Sequence, residues 1–174
     1  TYRAITKELS ELSIKFDKNM LDATNAFVLH ITDSTQLDGL PAFAVAGAAA
    51  EAKERGLEGW VVTLQYPSLS PFLTYSTNRE LKEKVWRASS SKALGGEFDN
   101  SDIVKRIVEL RYQLAKLLGY ETYADYVLEE RMAKNRNNVT DLLTELLEKS
   151  LPAAREDVAE IQAYAKSKGV DYEL

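Results

Sequence analysis

One histidine, His30, and no cysteine limit the chemistry open to this chain. A zinc site built on imidazoles needs at least two, usually as His-Glu-x-x-His on one helix face. A Ser-His-Asp or Cys-His centre needs a nucleophile beside a positioned imidazole, and no motif here assembles one. The lack of cysteine also excludes disulfides, zinc ribbons and iron–sulfur clusters. His30 sits in an alternating stretch beside Leu29 and Ile31 and reads as a surface or hydrogen-bonded strand histidine. Gly95-Gly96-Glu97-Phe98-Asp99-Asn100 has the look of a phosphate loop but lacks both glycine-rich phosphate fingerprints. It reads as a loop leading to a helix cap. Glu97, Asp99 and Asp102 offer oxygens to a hard cation, yet their spacing is not that of an EF-hand, and solvated carboxylates at a helix start explain them. Asn138-Val139-Thr140 matches a glycosylation sequon and also an N-cap; no signal sequence opens the chain, so the cap is the reading taken. Tyr120, Tyr123 and Tyr126 fall at helical spacing and read as core and rim aromatics. No residue is assigned as catalytic, cofactor-binding or metal-ligating.

The elements that would position these groups are mostly helical. Ile5, Leu9, Leu12, Phe16 and Ala23 make one apolar stripe, which predicts a helix over 2–25. Ala26–Ile31 then switches to period 2, with Phe27, Leu29 and Ile31 on one face. Trp60, Val62, Leu64 and Tyr66 alternate with Val61, Thr63 and Gln65 and predict a second strand, closed by Pro67. The two strands could pair as a small antiparallel ribbon, which needs helices to cover it. Thr32–Gly39 is a polar turn region. Pro41 opens an alanine-rich helix that stops at Gly56; its small side chains allow close approach by a neighbour.

Ser70-Pro71 suits a cap and first helical residue, with one short turn over Phe72–Tyr75. Thr77-Asn78-Arg79-Glu80 suits a capping box, with Thr77 as cap. Leu81, Val85 and Ala88 share a face of the helix that follows, whose other side carries Arg79–Glu83, Glu80–Lys84 and Glu83–Arg87 pairs. The Ser89–Ser91 run and Gly95-Gly96 make a flexible loop before a helix striped by Ile103, Ile107, Leu110, Leu114 and Leu117, stopped by Gly119. Thr122 restarts a helix to about Lys134. Asn137 or Asn138 caps the last one, which runs towards Lys168 for ~45 Å and contains Pro152, expected to bend it.

A net charge of −5, with basic residues interleaved among acidic ones, argues against nucleic acid or an anionic membrane surface as partner. No apolar run approaches the ~18 residues of a membrane span. A cytoplasmic location is expected, and a periplasmic one is compatible with a chain free of cysteine. The helical pattern is already running by Tyr2, so Thr1 reads as a cut within a longer polypeptide.

Several short motifs, in order, resemble the thimet oligopeptidase family of zinc metallopeptidases, nearest to the bacterial peptidyl-dipeptidases and oligopeptidase A. They are Asp22-Ala23-Thr24, Leu37-Asp38-Gly39-Leu40-Pro41, Thr63-Leu64-Gln65-Tyr66-Pro67-Ser68, Asn78-Arg79-Glu80-Leu81 and Gly95–Asn100. Leu117-Leu118-Gly119-Tyr120, Tyr123-Ala124 and Arg131-Met132-Ala133-Lys134 continue the series. The resemblance implies a long, mainly helical enzyme with a channel between two halves. In such enzymes a later helix carries His-Glu-x-x-His, a downstream glutamate completes the zinc site, and the motif's glutamate is the general base. This chain reaches Leu174 without that helix, so no zinc ligand or general base is carried over onto it.

The expectation is therefore a mainly α fold with a minor two-stranded antiparallel β ribbon. Residues 1–174 would form one helical segment of a larger metallopeptidase, ahead of its catalytic zinc region. Zinc and short peptide substrates belong to the parent protein; the fragment's partner is the remaining catalytic half of the same chain. The alternative is a self-standing helical protein-interaction module without enzymatic activity, motivated by the wide apolar faces of 103–118 and 139–165. The fragment reading also predicts exposed apolar surface where the other half would dock.

Overall fold

The computed structural model describes residues 1–170 and 173. The chain is mainly α: seven α-helices, one 3-10 turn and a two-stranded antiparallel sheet among the described residues. It divides into two compact units, Thr1–Leu110 and Arg111–Leu174.

In the first unit α1 spans Tyr2–Ala26 and leads into β1, Leu29–Ile31. A 3-10 turn at Ser34–Leu37 follows, capped by the Asp33 carboxylate, which accepts from the Thr35 N–H. Next come α2 (Ala42–Glu54) and β2 (Trp60–Val62). The strands pair with Leu29 opposite Val62, His30 opposite Val61 and Ile31 opposite Trp60. The period-2 reading of β1 holds: Leu29 and Ile31 are buried and His30 is exposed.

β2 differs from its expected form in two ways. It is three residues long, because its partner β1 offers only three and because the Thr63 N–H leaves the ladder to donate to Ser68 Oγ at 3.0 Å. Its two faces are also both covered. Val62 and Leu64 join Leu29, Ile31, Leu37, Phe72 and Val85 in the main core, while Val61 and Thr63 are buried on the side lined by α2. A strand packed on both faces does not separate apolar from polar positions by alternation alone. The slim α2 accounts for the second covering: Ala48 and Ala52 are buried, and small side chains let the helix lie close to the strand.

Pro67 opens a helix instead of merely closing a strand. α3 spans Tyr66–Tyr75 with Pro67 in its first turn, where a missing N–H costs no helical bond. Ser68 and Leu69 both donate to the Gln65 carbonyl, at 2.9 and 2.8 Å. The predicted start at Ser70-Pro71 is thus five residues late, and Pro71 lies inside the helix. The predicted cap of α4 (Arg79–Ser90) also shifts. Asn78, not Thr77, is the N-cap, and its side chain accepts from the Leu81 N–H at 3.1 Å. Thr77 is held elsewhere: its hydroxyl meets the Asp38 carboxylate at 2.7 Å and its N–H donates to the Asp38 carbonyl at 3.0 Å. Leu81, Val85 and Ala88 face the core as expected, and Glu83 pairs with Arg87 at 2.8 Å.

α5 spans Ser101–Leu117. Ile103, Leu110, Leu114 and Ala115 are its buried residues, whereas Leu117 is exposed. In the second unit Thr122 caps α6 with the reciprocal Asp125 bond of a capping box. α6 ends at Glu129 rather than near Lys134, which takes a positive φ of 67° that ends regular helix. α7 then runs from Arg136 to Ser167. Asn135 caps it, accepting from the Asn138 N–H at 2.9 Å, so the cap predicted at Asn137 or Asn138 lies two or three residues too far along. The helix continues through Pro152.

Candidate functional site

The groups singled out for chemistry occupy separate parts of the structure. His30 projects from the exposed side of β1, and its Nε2 lies 2.6 Å from the Glu58 carbonyl oxygen. That contact holds the ring beside the turn entering β2. It is the hydrogen-bonded strand histidine expected from sequence.

The 95–102 loop spends its polar groups on itself. Asp99 Oδ1 accepts from the Gly95 N–H at 3.0 Å, the Ser101 N–H at 3.0 Å and the Ser101 hydroxyl at 2.7 Å. The Gly95 amide and then Ser101 hold the ionised form, so the Asp99 carboxyl is lowered to about 2. A carboxylate already accepting three bonds from its own loop closes the turn and starts α5. The same amides are not presented as a cradle for an anion.

Asn100 beside it is the most informative residue of this region. It is buried, its side chain donates to the Phe16 carbonyl at 3.1 Å, and it accepts from Asn19 Nδ2 at 2.9 Å. Its own N–H donates to the Ala93 carbonyl at 2.9 Å, and its carbonyl accepts the first bond of α5 from Val104. One residue thus joins α1, the loop and α5. Glu8 and Arg106 make a second tie between the two helices, at 2.6 and 3.1 Å, which lowers the Glu8 carboxyl. Sequence reasoning placed Asn100 only in a loop leading to a helix cap. Its partners lie more than eighty positions away, and no local pattern announces them.

In the second unit the three tyrosines cluster as rim aromatics. The Tyr120 and Tyr126 rings are 5.3 Å apart, Tyr123 and Tyr126 5.9 Å, both tilted. Arg111 lies over the Tyr123 ring at 5.2 Å. The Tyr120 hydroxyl is bonded to the Glu129 carboxylate, which raises the phenol above its ordinary range. Asn138 sits in the first turn of α7 and donates to the Ala133 carbonyl at 2.7 Å.

An apolar groove of about 540 Å³ lies between α2 and the β2–α3 corner, lined by Phe43, Gly47, Val61, Tyr66 and Pro67 among others. It gathers no nucleophile with a base. Among the described residues no group of three or more His, Cys, Asp and Glu side chains could hold a metal ion. The chain has one histidine, whose ring is bonded to the Glu58 carbonyl, and no cysteine. No step of metal chemistry is derived for this chain.

What the surface does offer is apolar contact. No residue of α7 is buried, and Leu142, Leu143, Leu146 and Leu147 are each more than half exposed. Val158, Ile161 and Tyr164 continue the exposure in its second half, and Val108, Tyr112 and Leu117 do so on α5. Solvent-exposed apolar area of this extent marks an interaction surface. No helix of the described residues is long and apolar enough to cross a membrane.

The family model of peptidase family M3 matches residues 72–174. The chain belongs to that family, a class of metallopeptidases. It is similar to "Oligopeptidase A" of Escherichia coli, at 40% identity over 98% of this chain and 26% of the relative. It is similar also to the "Organellar oligopeptidase A, chloroplastic/mitochondrial" of Arabidopsis thaliana, at 38% identity over 97% of this chain and 22% of the relative. The "Dipeptidyl carboxypeptidase" of Escherichia coli is 29% identical over 92% of this chain and 24% of its own length. The chain thus spans about a quarter of the length of the curated relatives it matches.

Proposed function

We propose that this chain is a helical segment of a zinc-dependent oligopeptidase or peptidyl-dipeptidase, a hydrolase of short peptides, and that it precedes the zinc-binding region. The observation that carries the reading is the reach of the likeness: nearly the whole chain matches oligopeptidase A, while only a quarter of that relative is covered. The donor chemistry supports the scaffold role, since one bonded histidine cannot make a zinc site. In this reading residues 1–174 hold no catalytic, cofactor-binding or metal-ligating residue. The metal and the base that activates water sit in the remaining, catalytic part of the same polypeptide. Its partners are peptides and that catalytic part, not nucleic acid or membrane. In this reading the protein works in the cytoplasm, which an Arabidopsis relative named "Probable cytosolic oligopeptidase A" supports.

The test compares the 174-residue chain with the full polypeptide encoded by its gene, each assayed on short peptides with and without a chelator. The expected result is cleavage by the full polypeptide, lost with chelator and restored by zinc, and none by the 174 residues. Chelator-sensitive cleavage by the short chain would overturn the scaffold role. A full polypeptide without peptidase activity would overturn the assignment and favour a helical interaction module.

A further inference from the structure

A groove of about 690 Å³ lies between α4 and the end of α3 with the turn after it. Its volume falls within the ~300–1,000 Å³ of small-ligand sites. Arg79, Lys82, Glu83 and Trp86 form its α4 wall. At ~100° per residue the four share an arc of ~100°, on the side of the helix away from the core residues Leu81, Val85 and Ala88. Leu73, Ser76 and Thr77 form the other wall. Every lining residue belongs to Thr1–Leu110.

The charges of this groove are unequally spent. Glu83 is the one carboxylate of the lining, and Arg87 holds it, with Nε and Nη2 both 2.8 Å from Oε1. Asp38, bonded through its carboxylate to the Thr77 hydroxyl at 2.7 Å, is not a lining residue. Lys82 is half-buried and makes no ion pair among the described residues. Arg79 adds a second positive charge on the same wall, so the lining carries a net positive charge. Ser76 is only 3% exposed; its Oγ accepts from the Asn78 N–H at 3.2 Å, which leaves the hydroxyl proton to give. The polar groups still able to act on a ligand are thus donors. Beside them Trp86 is 54% exposed and offers its indole as an apolar wall, with Leu73 on the α3 side.

We infer that this groove binds the C-terminal end of a short peptide, with the free carboxylate on Lys82 and the apolar side chain of the last residue against Trp86. A partly desolvated ammonium without a counter-ion favours a bound carboxylate, which makes a charge-assisted bond to it. A monoanion balances the net charge of the lining. A phosphate dianion exceeds that charge and leaves the indole unused. That the carboxylate belongs to a peptide rests on the proposed function; the preference for an anion joined to an apolar group does not.

Trp60 and Trp86 are the two tryptophans of the chain, so fluorotryptophan labelling gives two fluorine resonances, one from the groove and one from β2. The Trp86 line is assigned by its loss in Trp86→Phe. N-acetyl-leucine is titrated into the 174-residue chain and into the full polypeptide encoded by its gene, with N-acetyl-leucinamide and inorganic phosphate as comparisons. N-acetyl-leucine should shift the Trp86 line saturably and leave the Trp60 line in place, which also reports that the fold is kept. The amide, which lacks the charge, should bind at least about tenfold more weakly. Lys82→Gln should weaken N-acetyl-leucine by about tenfold and leave the amide unchanged. An unmoved Trp86 line, equal binding of acid and amide, phosphate binding as tight as that of N-acetyl-leucine, or an unchanged acid affinity in Lys82→Gln each overturns the inference. So does a Trp86 line that moves in the short chain and not in the full polypeptide, where the groove is then covered. Peptidase activity of the full polypeptide is read separately. An active enzyme with an unmoved Trp86 line refutes the groove alone, and an inactive one with an acid-selective shift refutes the proposed function alone.

Discussion

Gly59 and Gly56 provide a controlled pair for testing how tightly the ribbon is closed. Both have positive φ, 89° and 69°. Alanine at either position incurs the strain of a left-handed backbone, ~1–2 kcal/mol, partly offset by ~0.4–1 kcal/mol from a less flexible unfolded chain. At Gly56 nothing else stands within 4 Å of an added Cβ, so Gly56→Ala should cost only about 1 kcal/mol or less. At Gly59 the Cβ would lie 2.4 Å from the Ile31 carbonyl oxygen and 3.3 Å from Thr32 Cα. Neither is a flexible side-chain tip. The strand end must separate, and Ile31 pairs there with Trp60. Losing one or two ladder bonds adds ~1–2 kcal/mol, for a total of about 2–3 kcal/mol. Both tryptophans, Trp60 and Trp86, lie within Thr1–Leu110, so fluorescence during urea unfolding reports on that unit. With a slope of ~1–2 kcal/mol per molar, Gly59→Ala should lower the midpoint by about 1–3 M and Gly56→Ala by less than about 1 M. Equal midpoints for the two variants would refute the close approach of residue 59 to β1.

Asn100→Ala removes both side-chain bonds that join α1 to the start of α5 and should destabilise the first unit by about 2–3 kcal/mol, read from the same urea midpoint. Asn19→Ala, which removes one of them, should cost less. The Asp99 carboxyl titrates at about 2 in the folded chain, below the ~3.9 of an unconstrained aspartate, so its contribution is in place above about pH 4 and is lost as pH falls towards 2. Asp99→Asn should therefore show a shallower loss of thermal stability between pH 4 and pH 2 than the parent sequence. Thr122→Ala removes the reciprocal cap of α6 and should cost about 1 kcal/mol, seen as faster amide exchange across Tyr123–Glu129.

Much of the architecture was legible because its signals are local. The α1 stripe, the period-2 pattern around His30, the proline and glycine bounds of α2, and the Thr122 cap each depend on residues within a turn or two of one another. Where prediction missed, two local signals competed and a distant contact decided. Thr77 and Asn78 both suit a cap, and Asp38 takes Thr77 out of the competition. Pro67 and Pro71 both suit a helix start, and the bond from the Thr63 N–H to Ser68 Oγ ends β2 early enough for the first to serve. The same limit hid Asn100 as the residue tying three elements, since its partners at Phe16 and Asn19 are far away in sequence.

By itself the sequence determined that this chain has one histidine and no cysteine and carries no His-Glu-x-x-His motif, which follows from residue types and needs no coordinates. It determined the helical class and the order of elements as well, since periodicity and caps act over a few residues. Only the tertiary structure decided which polar side chains bind the loop together, that β2 is packed on both faces, and that no residue of α7 is buried. Those outcomes depend on which segments meet in space, and burial at any position is set by its neighbours there, not along the chain.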